Sequence, residues 1–174
     1  MNLTSTRITA MNRNDLVAAA FAEEGAEMIR NIRDTNLLRF ASKAADCWRT
    51  HPIYSDLDTC ANPGKEIAQG SYRVGINVVS NALPVALSAA SDSGIAPLDA
   101  NNPNAWYQLK LDDANTNLYN YFRGTATIFY REVKISYSAA DPNVMNVIST
   151  VVYRSGKDPR VLTRSMPLTN HPYL

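Results

Sequence analysis

Histidine is scarce in this sequence of 174 residues, and both histidines, His51 and His171, are followed by proline. No cysteine–histidine or histidine–histidine pair has the spacing of metal ligands, and no serine lies in a GxSxG turn. A histidine-based zinc site, a Ser–His–Asp triad and a Gly-rich phosphate loop are therefore not indicated. We expect no catalytic residues, no enzymatic activity and no cofactor.

An excess of charge of either sign is also missing. The chain carries 17 Lys and Arg against 16 Asp and Glu, which gives a formal net charge of +1. Such a chain has no overall field that would concentrate a phosphate backbone, so nucleic acid is not an expected partner. The longest apolar runs, such as residues 81–90 with Pro84, are shorter than the roughly twenty residues that cross a bilayer. The first 22 residues also lack the pattern of a signal peptide.

Proline is absent from Thr4 to Thr35, and Ala, Glu, Met and Arg dominate there, which predicts a long helix. Apolar or small residues recur at helical spacing along one face, which we expect to be the core face: Val17, Phe21, Gly25, Met28 and Ile32. Glycine destabilises the middle of a helix, so Gly25 is expected where a packed sheet approaches closely.

Upstream of this face the apolar positions thin to Leu3, Ile8 and Met11. We expect this first part of the helix to project from the domain.

The remaining pattern predicts a single α+β domain over residues 1–174. It consists of a helix at 1–35, an irregular connecting region at 36–103 and an antiparallel meander at 104–174 that packs on the helix. The connecting region is expected to hold one strand at Ser71–Val79 and a short helix near Leu38–Trp48. The C-terminal strands are expected at Trp106–Leu111, Leu118–Phe122, Thr125–Tyr137, Val144–Arg154 and Val161–Leu168.

The sequence has two cysteines, Cys47 and Cys60. Their spacing fits neither a metal knuckle nor a CxxC redox motif. In an exported protein they would form one disulfide that closes a surface loop and stabilises the fold by roughly 3 kcal/mol. The alternative is a pair of unrelated buried thiols.

The densest group of charges lies late in the predicted helix, with Glu27, Arg30 and Asp34 at spacings that allow ion pairs along one exposed face. A solvated, internally paired face is the favoured interpretation. The alternative is a subunit contact, for which the candidates are Glu24, Glu27, Arg30 and Arg33.

Residues Asp113, Asn115 and Asn117 resemble the opening of a calcium-binding loop. Leu118 and Gly124 stand where such a loop needs glycine and glutamate, so a hairpin turn is favoured over a metal site.

Two blocks of sequence carry a family resemblance. The segment EEGAEMIRNIRDTNLL, Glu23–Leu38, resembles the end of the first helix in type IV pilin-like proteins, minor pilins or pseudopilins, of candidate-phyla bacteria such as Saccharibacteria. The runs NLYNYFRGTATIFYREVKISYS, NVISTVVYRSG and VLTRSMPLTNHPYL are similar to the last strands of that family. The middle of the chain is unmatched.

The resemblance implies a pilin-like fold and a structural subunit of an extracellular type IV pilus or pseudopilus, with roles in attachment, motility or secretion. Its implied partners are other pilin subunits and a host-cell surface. The full-length form would be held in the cytoplasmic membrane before assembly, with an apolar anchor upstream of Asn2. The alternative is an adhesin or a phage virion binding module built from a helix and a β-meander.

Overall fold

The computed structural model describes residues 3–54, 60, 64–76, 85–112, 118–121, 124–155 and 158–170, with the backbone alone for residues 3–7 and 155. Its first element is the helix α1 (Leu3–Arg39), which has 37 residues and a length of about 55 Å at the α-helical rise. The helix continues past the predicted boundary at residue 35, and the Phe40 N–H donates to the Asn36 carbonyl at 2.9 Å in its last turn. A 3₁₀ turn (Ala41–Lys43) and the short helix α2 (Ala44–Cys47) follow.

The described strands form one antiparallel sheet. They are β1 (Gly70–Ile76), β2 (Val85–Ala89), β3 (Gln108–Asp112), β4 (Leu118–Asn120), β5 (Thr125–Tyr137), β6 (Val144–Ser155) and β7 (Asp158–Thr169). The α+β prediction, a long N-terminal helix followed by an antiparallel sheet, is confirmed.

The long strand β5 organises the sheet. One of its edges pairs with β6, which in turn pairs with β7, so these three strands form the predicted meander. The opposite edge of β5 is shared by two hairpins. The β1–β2 hairpin pairs through Tyr72 opposite Val133, and the β3–β4 hairpin pairs through Lys110 opposite Ala126.

Two sequence predictions therefore need correction. Residues 36–103 are not only an irregular connection, because they supply β1 and β2 to the sheet. Nor is the C-terminal part a simple meander, since β3 lies between β4 and β5. Both hairpins consist of short strands whose pairing depends on the far larger β5, and this tertiary contact is not visible in their own residues.

Helix α1 packs on one face of the sheet, where it contacts β5, β6 and β7. Of the five residues expected on its core face, Phe21, Gly25, Met28 and Ile32 are buried and Val17 is partly buried. Ile29 and several alanines are buried as well, so the contact face is rotated and wider than the predicted stripe. These additional residues are Ala18, Ala22, Ala26 and Ile29.

The other face of the sheet is partly covered by the segment that precedes β3. The Leu98 N–H donates to the Glu132 carboxylate at 2.9 Å, and the Tyr107 hydroxyl donates to the Ala96 carbonyl at 3.1 Å. Tyr107 lies in a 3₁₀ turn (Ala105–Tyr107) and is fully buried. This segment therefore covers part of the β5 face that lies opposite the face in contact with α1.

Candidate functional site

Helix α1 approaches the sheet most closely at Gly25. A Cβ atom at this position would lie 2.4 Å from Ser149 Oγ, 3.1 Å from Arg131 Cδ and 3.2 Å from Val133 Cγ2. Atoms that are not bonded do not approach within 2.4 Å, so a side chain at residue 25 would require Ser149 or the helix to shift. Glycine therefore permits the close approach of the two layers.

Arg131 lies beneath this point and is fully buried. Its Nη1 donates to Glu24 Oε2 at 2.9 Å and to the Phe21 carbonyl at 3.2 Å, and so ties β5 to α1. Its Nη2 donates to the Val74 carbonyl at 2.8 Å, and its Nε donates to the Tyr121 hydroxyl oxygen at 2.9 Å. Burial opposes the charge, but Tyr121 and Glu24 outweigh it and raise the pKa of Arg131.

The position of Arg131 explains how two hairpins share one edge of β5. Pairing with β1 extends to Val133 and pairing with β3 begins at Tyr130, so the edge changes partner at residue 131. At this fork the guanidinium satisfies the Val74 carbonyl of β1. We therefore regard Arg131 as the residue that joins the helix to both hairpins.

Sequence reasoning missed Arg131, although the pattern of β5 contained a signal for it. Phe129, Val133 and Ile135 are apolar at alternate positions of β5 and are buried, and residue 131 has the same parity. An arginine in an inward position needs a carboxylate and carbonyl oxygens as partners, because burial of an unpaired charge is very unfavourable.

The four candidates for a subunit contact near the end of α1 do not all lie at the surface. Arg33 is only 1% exposed, and its Nη1 donates to the Thr169 carbonyl at 3.2 Å. Glu24 turns inward to Arg131. Arg33 is thus excluded as a surface contact, since the helix turns that side chain onto β7.

Other members of this group do lie at the surface. Glu27 and Arg30 form the expected pair at 3.2 Å, and Arg30 also donates to the sulfur of Met166 at 3.3 Å. Asp34 pairs with Arg33 at 2.6 Å rather than with Arg30.

An ion pair near the start of the buried part of α1 attaches the helix to the tip of the β6–β7 hairpin. Asp15 Oδ2 accepts from Arg160 Nη2 at 2.9 Å, and Asp15 Oδ1 accepts from the Tyr153 hydroxyl at 2.7 Å. The hydrogen bonds from Arg160 and Tyr153 lower the pKa of Asp15. On the N-terminal side of Asp15 the described helix side chains are mostly exposed, with Ile8 at 54%, and Leu16, which follows Asp15, is 74% exposed on the side away from the sheet.

The cysteines form a disulfide in the structure. Cys47 at the end of α2 is bonded to Cys60, with a Cα–Cα distance of 5.3 Å. Both cysteines pack against Phe40, just beyond the end of α1. The disulfide thus holds the chain close to the end of the helix.

A cleft of about 520 Å³ lies between this disulfide-linked region and the β1–β2 hairpin. Its described lining includes His51, Tyr54 and Glu66 on one side and Ser88 and Asp92 on the other. Burial lowers the pKa of His51, which favours the neutral ring. Of these residues the sequence analysis considered only His51, and only as a metal ligand or triad member, because the lining comes from separate segments.

The calcium-loop candidates Asp113, Asn115 and Asn117 lie outside the described residues, as does His171. Within the described ranges, no group of three or more His, Cys, Asp or Glu side chains is placed to hold a metal ion.

Comparisons of the chain with protein-family models, curated proteins and solved structures gave no match. Across the part of the chain that the structure describes, no helix combines the length and the apolar character needed to cross a membrane.

Proposed function

We propose that this protein is a structural subunit of a type IV pilin-like filament, a pilus or a pseudopilus, rather than an enzyme. In this proposal the full-length form is anchored in the cytoplasmic membrane before assembly and is displayed outside the cell afterwards. Its partners are other subunits, and its role lies in attachment, motility or secretion. The observation that carries the proposal is one continuous helix whose second half packs on an antiparallel sheet while its first half presents apolar side chains to solvent.

The two halves of α1 differ in what they contact. From Ala18 onward the side chains facing the sheet are buried, and the helix follows β5, β6 and β7. In the first half Leu16 lies on the side of the helix away from the sheet, and Ile8 lies nearer the free end. Covering such side chains with a neighbour gains roughly 25 cal/mol per Å² of apolar surface. A second subunit that packs along this half would supply that cover.

The resemblance of Glu23–Leu38 to the helix of pilin-like proteins points in the same direction. That segment contains Gly25 and Arg33, which in this fold set the approach to the sheet and bond to β7. The residues that carry the resemblance are therefore residues that hold the helix on the sheet.

The proposal is tested with the full-length gene in its native cells, by antibody labelling of filaments sheared from the surface. We expect Leu16→Arg to abolish labelled filaments while the purified chain keeps the unfolding free energy of the parent, because Leu16 is exposed. Val161→Arg is the matched control, since Val161 is 51% exposed but lies on β7. It should leave filaments unchanged.

Two outcomes would contradict the proposal. The first is a coding sequence upstream of Met1 that contains no apolar run of roughly twenty residues, which an anchored subunit needs. The second is normal surface filaments with the Leu16→Arg chain in them. A protein that is found only as free chains or in virus particles would instead support the alternative of a binding module.

A further inference from the structure

The cleft of about 520 Å³ beside the β1–β2 hairpin has the size of a small-molecule site, for which volumes of about 300–1,000 Å³ are usual. None of its described lining residues belongs to α1. Its lining is mixed, with an aromatic ring, carboxylates and hydroxyl groups facing one space.

One wall of the cleft is a firmly hydrogen-bonded turn that carries Asp92. The Ser93 N–H donates to the Ala90 carbonyl at 3.1 Å, and the Gly94 N–H donates to the Ser91 carbonyl at 3.0 Å. Gly94 has a φ of 64°, which favours glycine, and it closes the turn. The turn thus holds Asp92 and two serine hydroxyls at the rim of the cleft.

The opposite wall is a second turn that carries His51 and Tyr54. The Tyr54 N–H donates to the His51 carbonyl at 3.0 Å, and the His51 N–H donates to the Lys65 carbonyl at 2.9 Å. Lys65 Nζ lies 4.3 Å from the centre of the Tyr54 ring and covers one face of that ring. His51 Nδ1 accepts from the Ile53 N–H at 3.4 Å, so in the neutral ring Nε2 carries the proton and can donate.

The edge strand β2 supplies main-chain groups to the same space. Because the Ala90 N–H donates to the Ser71 carbonyl at 2.7 Å, the alternate residues Leu87 and Ala89 direct their N–H and C=O groups away from β1. Both residues line the cleft. Donors and acceptors are therefore available along its floor as well as on its walls.

Most charges around the cleft already have partners. Glu66 pairs with Arg49 at 3.0 Å, and the Arg73 guanidinium lies 4.1 Å from the centre of the Trp106 ring. Among the described residues, no cation pairs with Asp92. Burial, and after it the charge of Asp92, raise the pKa of Tyr72 to about 12. An acidic ligand would be repelled by Asp92. The Ser91 hydroxyl already donates to Asp92 Oδ1 at 3.4 Å. A neutral ligand with several hydroxyl groups could donate to the remaining acceptor positions of this carboxylate and accept from His51 and Ser93.

We propose that this cleft binds a neutral carbohydrate, with Asp92 accepting hydrogen bonds from sugar hydroxyls and the Tyr54 ring packing against the apolar face of a sugar ring. The site is open to solvent at the Ser91–Ser93 turn, so an oligosaccharide chain can continue out of it. This inference does not depend on filament assembly, because the isolated full chain contains the whole cleft.

Isothermal titration of the purified full chain with lactose, mannobiose and diacetylchitobiose tests the inference, with sialyllactose as the acidic probe. We expect at least one neutral disaccharide to bind with a Kd between micromolar and millimolar. Asp92→Ala should weaken that binding about tenfold or more, as removal of a charged hydrogen-bond partner does. Tyr54→Ala should weaken it similarly, while Tyr54→Phe keeps the ring and most of the affinity.

Asp158→Ala is the matched control, because Asp158 is also exposed but lies at the start of β7. It should bind as the parent does. The proposal is overturned if none of the neutral sugars binds at millimolar concentration, if only sialyllactose binds, or if Asp92→Ala and Tyr54→Ala bind the sugar as well as the parent. Thermal unfolding of each variant shows whether it is folded, and Asp92 and Tyr54 are exposed enough that we expect all variants to fold.

Discussion

Replacing Gly25 by alanine tests whether helix and sheet are in direct contact at this residue. Two effects oppose each other. In an exposed helix alanine is favoured over glycine by about 1 kcal/mol. In this fold the new methyl group would lie 2.4 Å from Ser149 Oγ and just over 3 Å from Arg131 and Val133. Overpacking of this kind costs about 1–3 kcal/mol.

We expect the packing effect to be larger, because Ser149 is buried on β6 and one side of the new methyl group also meets Arg131 and Val133. We take an overpacking cost of about 2–3 kcal/mol, near the upper end of the usual range, and subtract the helix gain of about 1 kcal/mol. Gly25→Ala should therefore lower the unfolding free energy by about 1–2 kcal/mol. The closest atom is a single hydroxyl, so the cost depends mainly on Ser149.

A double-mutant cycle isolates that contact. Ser149 Oγ is buried without a hydrogen-bond partner among the described residues, so Ser149→Ala alone should be neutral or slightly stabilising. In the Ser149→Ala background the loss from Gly25→Ala should shrink by about 1 kcal/mol or more, because contacting residues do not behave additively.

Urea denaturation of the two single variants and the double variant measures these differences, with Ala20→Gly as the control. Ala20 is exposed on the same helix and should lose only the intrinsic difference of about 1 kcal/mol. If Gly25→Ala were stabilising by that amount, the helix would not touch the sheet at this residue. An unchanged loss in the Ser149→Ala background would show that the hydroxyl is not the limiting contact.

Three further predictions concern the helix and the disulfide. Phe21→Ala should lower the unfolding free energy by about 3–5 kcal/mol in chemical denaturation, whereas Ile8→Ala should change it little, because only Phe21 is buried. The hydrogen bond from Arg160 lowers the pKa of Asp15. The ionised Asp15 therefore contributes its full stabilisation above the ordinary pKa of Asp, and this stabilisation is lost as the pH falls through the lowered pKa. Thermal melts of the parent and Asp15→Asn should therefore converge in acid. Cys47 and Cys60 should resist alkylation until reduced, and reduction should cost about 3 kcal/mol in denaturation.

The strands with the longest alternating patterns were predictable from the sequence. β5 begins and ends at the predicted residues, and β6 begins at the predicted residue. The strand β7 starts earlier than predicted, at Asp158, because it pairs in register with β6 right up to the hairpin turn. Pairing with the long strand β6 thus extends β7 beyond the apolar residues of its own sequence.

The contacts of the charged helix residues were not predictable in the same way. Spacing shows which residues can pair along a helix, and Glu27 does pair with Arg30. It does not show which side of the helix faces the sheet. The apolar stripe indicated the side of Phe21 and Ile32, but the small residues Ala18, Ala22 and Ala26 widen the face, and the widened face takes in Arg33. Alanine is compatible with both buried and exposed helix positions, so its pattern gave no warning.

Gly25 and Arg131 depend on each other through distance. A buried guanidinium needs a carboxylate and carbonyl oxygens within hydrogen-bond range, and Arg131 finds two of these, Glu24 and the Phe21 carbonyl, on α1. Both contacts are at or below 3.2 Å, so the helix backbone must lie close to β5, and glycine at the neighbouring position permits this approach. Any outward shift of the helix that admits a side chain at residue 25 would therefore do more than crowd Ser149. It would lengthen the hydrogen bonds that satisfy a charge at the fork between the β1–β2 and β3–β4 hairpins, so helix position and sheet topology are coupled in this fold.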